Sequence, residues 1–485
     1  MGMGKRKSER QQDLFVPAEK LQSAGHPFYR KLNGLLAEAG FDAFIEAACK
    51  PYYSEDSKPG RRSVPPGVYF RMLFVGYFEG IESQRGLDWR CADSLALREF
   101  LGVPLGEATP DHSTLSVTRA RLPQEVHDMV FEFVLKLAKD KRLLDPKTIG
   151  VDSTTLEADA AMKSIVRRDT GEGYKEYIKK LAEEAGEDVA DDGALRRFDK
   201  KRKGKTCSNE EWVSPTDPEA EITKMKDGRT HLAYKAEHAV DLESEFLVAA
   251  RILPATTGDA ETIADTVMTA QGHLDRAATL TAKPRTEKQA EAAAGVGATI
   301  KEVVGDSGYH KDATLELLTS LGVRTYIVER DQQRVWTDKP IERKRATLTN
   351  RRRVKRRKGR RLQRRRSEVV ERTFAHLCET GRARRTWLCG LDNVQKRYLM
   401  HAAARNLSLV MRKLFKIGTP RSLQGAGDDA HARVYALLNA LTLLDALHRA
   451  IESLRAAQTR RPKRSPRSRR RLLIAHQNVE RSTGC

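Results

Sequence analysis

Residues 301–310 read KEVVGDSGYH. The apolar run climbs to Gly305 and then meets Asp306, which predicts a short strand with a carboxylate at its tip. Residues 147–160, KTIGVDSTTLEADA, have the same build: a short, β-branched run up to Asp152. A single Asp at a strand end is ordinarily a helix N-cap or a turn former. Two of them, far apart in sequence, need a common explanation.

The stretches around them set the topology. THLAYKAEHAV (230–240) alternates with period two, placing Leu232, Tyr234, Ala236, His238 and Val240 on one face. DLESE turns the chain and FLVAARILPAT returns it, so a β-hairpin is expected. On its other face His231 and Lys235 are expected either in solvent or against a substrate. DAETIADTVMTAQGHL reads as an amphipathic helix, KDATLELLTSLG as another, and VRTYIVE as a strand. SEVVERTFAHLCETG is a helix with Val370, Phe374 and Leu377 on its apolar face. A polar stretch over about 163–227 reads as an insertion, helical around YKEYIKKLAEEA. Strand, hairpin, helix, strand, helix, strand, helix gives an α/β fold with a mixed sheet flanked by helices. The series matches the ribonuclease-H-like fold, with the insertion after the first strand. In such a sheet the first and fourth strands are neighbours, so Asp152 and Asp306 can meet.

The flanking regions have other textures. Residues 1–24 are expected to be disordered. Residues 25–145 carry helical periodicity, and Asp111 or Ser113 is a candidate N-cap in TPDHSTLSVTRARL. A compact all-α, helix-turn-helix-like DNA-binding domain is expected there, followed by the sheet domain over 146–415. A helical and basic C-terminal extension closes the chain. In 428–457, Val434, Leu437, Leu441, Leu444, His448 and Ile451 step by three and four, which predicts a helix that either self-associates or packs on the sheet domain. Residues 458–485 form a basic tail.

The formal net charge is +22 in 485 residues. Such a charge favours polyanionic partners, above all nucleic acid. It is concentrated in RKRATLTNRRRVKRRKGRRLQRRR (343–366), where 15 of 24 residues are Lys or Arg and none is acidic. No run of eighteen apolar residues exists, so no transmembrane helix is expected. MGMGKRKSERQQDLF has no apolar core and does not read as a secretory signal. The six cysteines, at 49, 91, 207, 378, 389 and 485, form no CxxC pair. Reduced thiols, no structural zinc and a cytoplasmic location follow as expectations.

A third acid, Glu371, lies on the helix that follows the basic run. Three converging carboxylates repel unless a cation neutralises them. Oxygen-only donors select hard ions, so two Mg²⁺ ions, with Mn²⁺ as substitute, are the expected cofactors.

The order of these motifs, with RMLFVGYFEGIESQRGLDWRCADSLALREFLG, ILPATTGDAET and AAARNLSLVM, resembles bacterial insertion-sequence transposases of the DDE type. The resemblance runs from about residue 25 to about 412. It implies Asp152, Asp306 and Glu371 as catalytic, metal-binding acids, cleavage of double-stranded DNA at the element's terminal repeats, and strand transfer into target DNA. It also implies a nucleoid location and a homodimer or larger assembly on DNA. Many relatives carry a Tyr seven residues before the Glu, an Arg four before it and a Lys seven after it. Here those positions are Arg364, Ser367 and Cys378. Arg366 could replace the missing Arg, and Arg382, Arg384 or Arg385 the missing Lys. With Arg351, Arg352, Arg353, Lys355, Arg356, Arg357 and Arg364 these are the candidate DNA contacts. Glu368, one turn before Glu371, is the competing third acid. His310 is expected on the surface. Two other functions fit the same motifs: a hydrolytic nuclease of this fold, and a decayed transposase that only binds DNA.

Overall fold

The structure is a computed structural model that describes residues 25–53, 63–187, 191–203, 207–281, 299–330 and 340–423. The expected disordered N-terminus, self-association helix and basic tail lie outside these residues. The described residues up to Pro420 form one compact unit.

The chain opens with helices: α1 (Pro27–Glu38), α2 (Phe41–Cys49), α3 (Pro66–Glu79), α4 (Gln84–Asp93), α5 (Leu95–Leu101), α6 (His112–Arg121) and α7 (Gln124–Asp140). Helix α3 is apolar on every side and is buried from Gly67 to Phe78, as its composition demands. Asp111 caps α6 by accepting from the Thr114 amide at 2.6 Å. That bond holds its carboxyl down to about 2. The helices share a core with the sheet layer. Across the α7 contact, buried Glu132 accepts from His273 at 2.8 Å and from Arg276 at 2.6 Å. A buried carboxylate is tolerable only with such partners.

The sheet is built from β1 (Thr148–Glu157), β4 (Glu221–Lys224), β5 (Thr230–Asp241), β6 (Leu247–Pro254), β7 (Glu302–Gly305) and β8 (Arg324–Ile327). Its path is β4–β5–β1–β7–β8, with β6 also paired to β5. Strand β1 runs antiparallel to β5 and parallel to β7, and β7 runs parallel to β8. This is the mixed sheet the alternation predicts. Between β1 and β4 the insertion forms a small hairpin, β2 (Val166–Arg167) with β3 (Trp212–Val213), and helices α8 (Tyr174–Glu184) and α9 (Asp192–Lys201).

Helices α10 (Asp259–Thr281), α11 (Asp312–Ser320), α12 (Ile341–Lys355), α13 (Arg357–Ala375) and α14 (Leu391–Phe415) cover the sheet. The outer strands expose backbone groups, and side-chain amides from the helices take them. Asn350 brackets the Ile327 N–H and C=O on β8. Asn406 brackets Leu247, and Gln395 reaches Ile252 and Ala250 on β6. These contacts satisfy backbone groups that the outer strands β8 and β6 would otherwise leave open.

Two local expectations differ from the structure. Asp152 is not at a strand tip, because β1 continues to Glu157 in register with β5. Ser153, Thr154 and Thr155 suit an extended ladder, and β5 is long enough to pair with them. The second face of β5 is not a solvated one. Lys235 and Glu237 are 4% and 0% exposed, because α10 lies over them.

Candidate active site

Asp152 and Asp306 come together through strand register. The parallel pairing of β1 with β7 sets Gly150 opposite Val304. Asp152 stands two residues beyond that pair on β1, and Asp306 follows directly after the last residue of β7, so both acids lie just past the paired segment. Their charges act on each other. Burial pushes the Asp152 carboxyl up, Arg366 opposes that rise, and Asp306 adds to it. Asp306 caps the turn Ser307–Tyr309 by accepting from the Gly308 amide at 2.8 Å.

Helix α13 lies on β1 because Gly150 leaves it room. A Cβ there would stand 3.0 Å from Val370 and 3.1 Å from the Arg366 stem. This close approach carries Arg366 to Asp152, and its Nη1 donates to Asp152 Oδ2 at 2.6 Å. The other oxygen, Oδ1, accepts from the Ser153 amide at 2.9 Å. Below the helix, His238 stacks on Phe374 at 3.9 Å and bonds Thr373 and the Tyr398 hydroxyl at 2.8 Å each.

The orientation of α13 separates its two glutamates. Gln363 donates to the Gly305 and Tyr326 carbonyls, at the ends of β7 and β8. Arg365 donates to Leu242 O at 3.0 Å, and the Leu242 amide bonds Thr148 O, at the start of β1. Lys358 pairs with Glu302, the first residue of β7. One flank of the helix therefore faces the strand starts and the other the strand ends. At 100° per residue, Arg360, Arg364, Ser367 and Glu371 lie together on the outward side of the helix, leaning to the strand-end flank. Glu371 is exposed and makes no ion pair among the described residues. Glu368 is drawn to Arg372 at 2.6 Å and Arg365 at 3.4 Å, both of which also hold Glu245.

Sequence reasoning missed an adjoining network. Asp259, the first residue of α10, accepts from Ser153 Oγ at 2.9 Å and from Lys235 Nζ at 2.6 Å. Lys235 also donates to Thr257 O, and buried Glu237 accepts from Thr262 and from the Tyr309 hydroxyl. A Cβ on Gly308 would meet Asp259 Oδ2 at 2.8 Å and Asp306 Oδ1 at 3.0 Å. Only glycine fits between these two carboxylates. Charged residues alternating with apolar ones on β5 read as a solvent face, so this network left no sequence signal.

The candidate DNA contacts divide sharply. Arg351 is held by Glu329 in a two-pronged pair at 2.6 and 2.7 Å, and Arg353 is partly buried. Arg352, Lys355, Arg356, Arg357, Arg360, Arg361 and Arg364 are exposed and make no ion pair among the described residues. Arg357, Lys358, Arg360, Arg361 and Arg364 line a hollow of about 710 Å³. Arg366 is committed to Asp152. Arg382, Arg384 and Arg385 sit in exposed pairs with Glu82, Glu379 and Asp159 at 3.7, 2.6 and 3.5 Å. Cys378 is half-buried, and burial pushes its thiol up while Arg384 and Lys226 pull it down. His310 is buried rather than on the surface, at 7% exposed. His231 bonds Asp227 at 2.9 Å.

The donor set around Asp152 and Asp306 is all oxygen, which suits a hard divalent cation. Among the described residues no three His, Cys, Asp or Glu side chains converge closely enough to hold one as they stand. In this arrangement Arg366 and Lys235 supply the neutralising charge. No described helix is long and apolar enough to cross a membrane.

No curated protein and no solved structure matches the chain. Residues 16–121 match the Transposase domain (DUF772) family, and residues 151–407, more than half of the chain, match the Transposase DDE domain family. The first match ends with α6 and the second begins one residue before Asp152. Together with the sheet order and the paired aspartates, they establish that this chain belongs to the DDE transposases of insertion sequences, proteins whose substrate is DNA.

Proposed function

We propose that Asp152, Asp306 and Glu371 are the catalytic acids, and that the chain cuts DNA at the ends of its element and joins the freed 3′ ends to a target. The observation that supports this reading is that Asp152 and Asp306, just beyond the paired segment of β1 and β7, lie close enough for their charges to act on each other, while Glu371 is exposed on the helix that packs on β1. The three carboxylates would hold Mg²⁺, two ions in the full site, with Mn²⁺ as substitute. When bound, such ions activate the attacking oxygen and stabilise the leaving one.

The remaining work is positioning. Arg357, Arg360 and Arg364 offer unpaired guanidinium groups to DNA phosphates. Arg360 and Arg364 stand on the flank of α13 that bears Glu371, about 16 and 10 Å before it at 1.5 Å per residue. A backbone following that row is delivered to the acids. Ser153 and Lys235 hold Asp259 against the Asp306 turn and keep the floor of the site in place. Residues 25–145 carry 16 Lys and Arg against 17 Asp and Glu. End recognition by this helical region, if α6 makes it, rests on local shape and hydrogen bonding rather than on net charge.

The test is a cutting and joining assay on DNA that carries the element's ends. Nicked and joined products are expected with Mg²⁺, and both are lost together in Asp152→Asn, Asp306→Asn or Glu371→Gln. Nicking without joining would make the chain a nuclease of this fold. Binding without either would make it a DNA-binding protein alone.

A further inference from the structure

The pair between Arg366 and Asp152 sits where a bound cation is needed. Both oxygens of Asp152 are already engaged, one by the Ser153 amide and the other by the Arg366 guanidinium. Arg366 is 7% exposed, its stem is packed against Gly150, and its Nε has no hydrogen-bond partner. Its Nη2 makes only a long 3.4 Å contact to Ser367. The group is therefore buried beside one carboxylate and poorly satisfied everywhere else.

We propose that Arg366 is the resident counter-ion of Asp152, displaced when metal enters, and that DNA favours metal entry by offering the freed guanidinium a phosphate. This rests on the reading of Asp152 and Asp306 as metal ligands. The physical basis is competition. An opposite charge at hydrogen-bond distance changes a carboxylate's affinity for a proton by roughly ten- to a thousandfold, and a metal ion competes for the same lone pairs. The coupling is reciprocal: whatever factor DNA adds to metal affinity, metal must add to DNA affinity. A site so arranged stays closed to metal until DNA lies along α13, which limits hydrolysis away from the substrate.

The test reads metal binding directly. Free Mn²⁺ is followed by its paramagnetic resonance signal in titrations of the full chain, with and without a duplex whose 3′ ends are blocked. Arg366→Met keeps the packed stem and removes the charge, and Arg366→Gln keeps a polar head should the first variant fold poorly. Either variant is expected to bind Mn²⁺ about tenfold more tightly than the parent without DNA. The duplex should tighten Mn²⁺ binding in the parent by a clearly larger factor than in the variants. Equal Mn²⁺ affinity in parent and folded variant, or equal tightening by the duplex in both, overturns the proposal. Asp152→Asn and Asp306→Asn separate the two readings. If they bind Mn²⁺ like the parent, the metal-ligand assignment fails, whatever Arg366 does.

Discussion

The two flanks of α13 are made from the same basic composition and do different work. On the strand-start flank, Lys358, Arg365 and Arg372 are matched by Glu302, Glu245 and Glu368, and Arg361 alone of that row makes no ion pair among the described residues. On the other side, Arg360, Arg364 and the acid Glu371 make no ion pair among the described residues. A basic run is therefore not uniformly a nucleic-acid surface. The protein's own carboxylates fasten one side to the sheet, and what is left unpaired marks the side that meets a partner. Each prediction below tests that division.

The largest effect is expected at the acids. Ligands that act as a unit fail singly. Asp306→Asn or Glu371→Gln should each lower cutting by about a thousandfold or more in the end-cutting assay. Glu368→Gln, one turn earlier on the ridge that leans to Arg372, should keep most activity. A dead Glu368 variant beside an active Glu371 variant would exchange the roles of the two flanks.

That pair also shows what the sequence could reveal. Strand order, the β5–β6 hairpin, the amphipathic helices and the approach of Asp152 to Asp306 follow from periodicity of two and of three to four. The choice between Glu368 and Glu371 does not, because both sit near the same side of a helical wheel. In the sequence it rests on the VVERTF motif and on Val370 and Phe374 bracketing Glu371; Gln363 and Arg365 add the direction in which the helix crosses the sheet. Lys235, Glu237 and Asp259 were hidden for the opposite reason. Their charges signalled solvent, and only tertiary structure reveals that α10 covers them. Likewise Arg351 and Arg352 are equivalent as sequence, yet Glu329, far along the chain, has claimed one of them.

The buried histidines, of which His238 lies directly under α13, should respond to acid. Burial holds His238 well below its ordinary value, and does the same to His401. Burial lowers His127 to about 4. Between about pH 4 and 6.5 the unfolded chain thus binds more protons at these sites than the folded one. The sign follows: stability rises with pH across this window and is lost as pH falls. The loss is at most about 1.4 kcal/mol per pH unit for each histidine. Melting temperature should drop from pH 7 to pH 5, and His238→Gln, if folded, should show a shallower drop. A flat profile would mean that protonation of these buried histidines does not loosen the fold.

The unpaired arginines should dominate the salt dependence of DNA binding. Each lost phosphate contact flattens the log–log slope by roughly 0.9. Changing Arg357, Arg360 and Arg364 to Gln should therefore reduce the slope by about two to three units. Changing Arg351, Arg352 and Arg353 should reduce it by only about one, because Arg351 is paired and Arg353 partly buried. Binding isotherms across a salt series decide this, and equal slopes from the two triple variants would remove the distinction between paired and unpaired arginines.

The smallest effect is the most direct attempt to break the comparison. Glu245 sits in the β5–β6 turn and accepts from both Arg365 and Arg372 near 3.0 Å. Burial pushes its carboxyl up, but Arg372 and Arg365 outweigh that and hold it below its ordinary value. Glu245→Gln keeps the shape and removes the charge. The pairs are about a third exposed and partly screened by solvent, so the loss of stability should be about 1 kcal/mol. It also releases two arginines on the strand-start flank. If that flank lies away from DNA, the freed groups gain no phosphate, and both the salt slope and the cutting rate stay at parent values. If the slope instead steepens by about 0.9 for each freed arginine, DNA reaches both sides of α13. The matched charges on the strand-start flank would then be a brake on binding rather than an anchor for the helix.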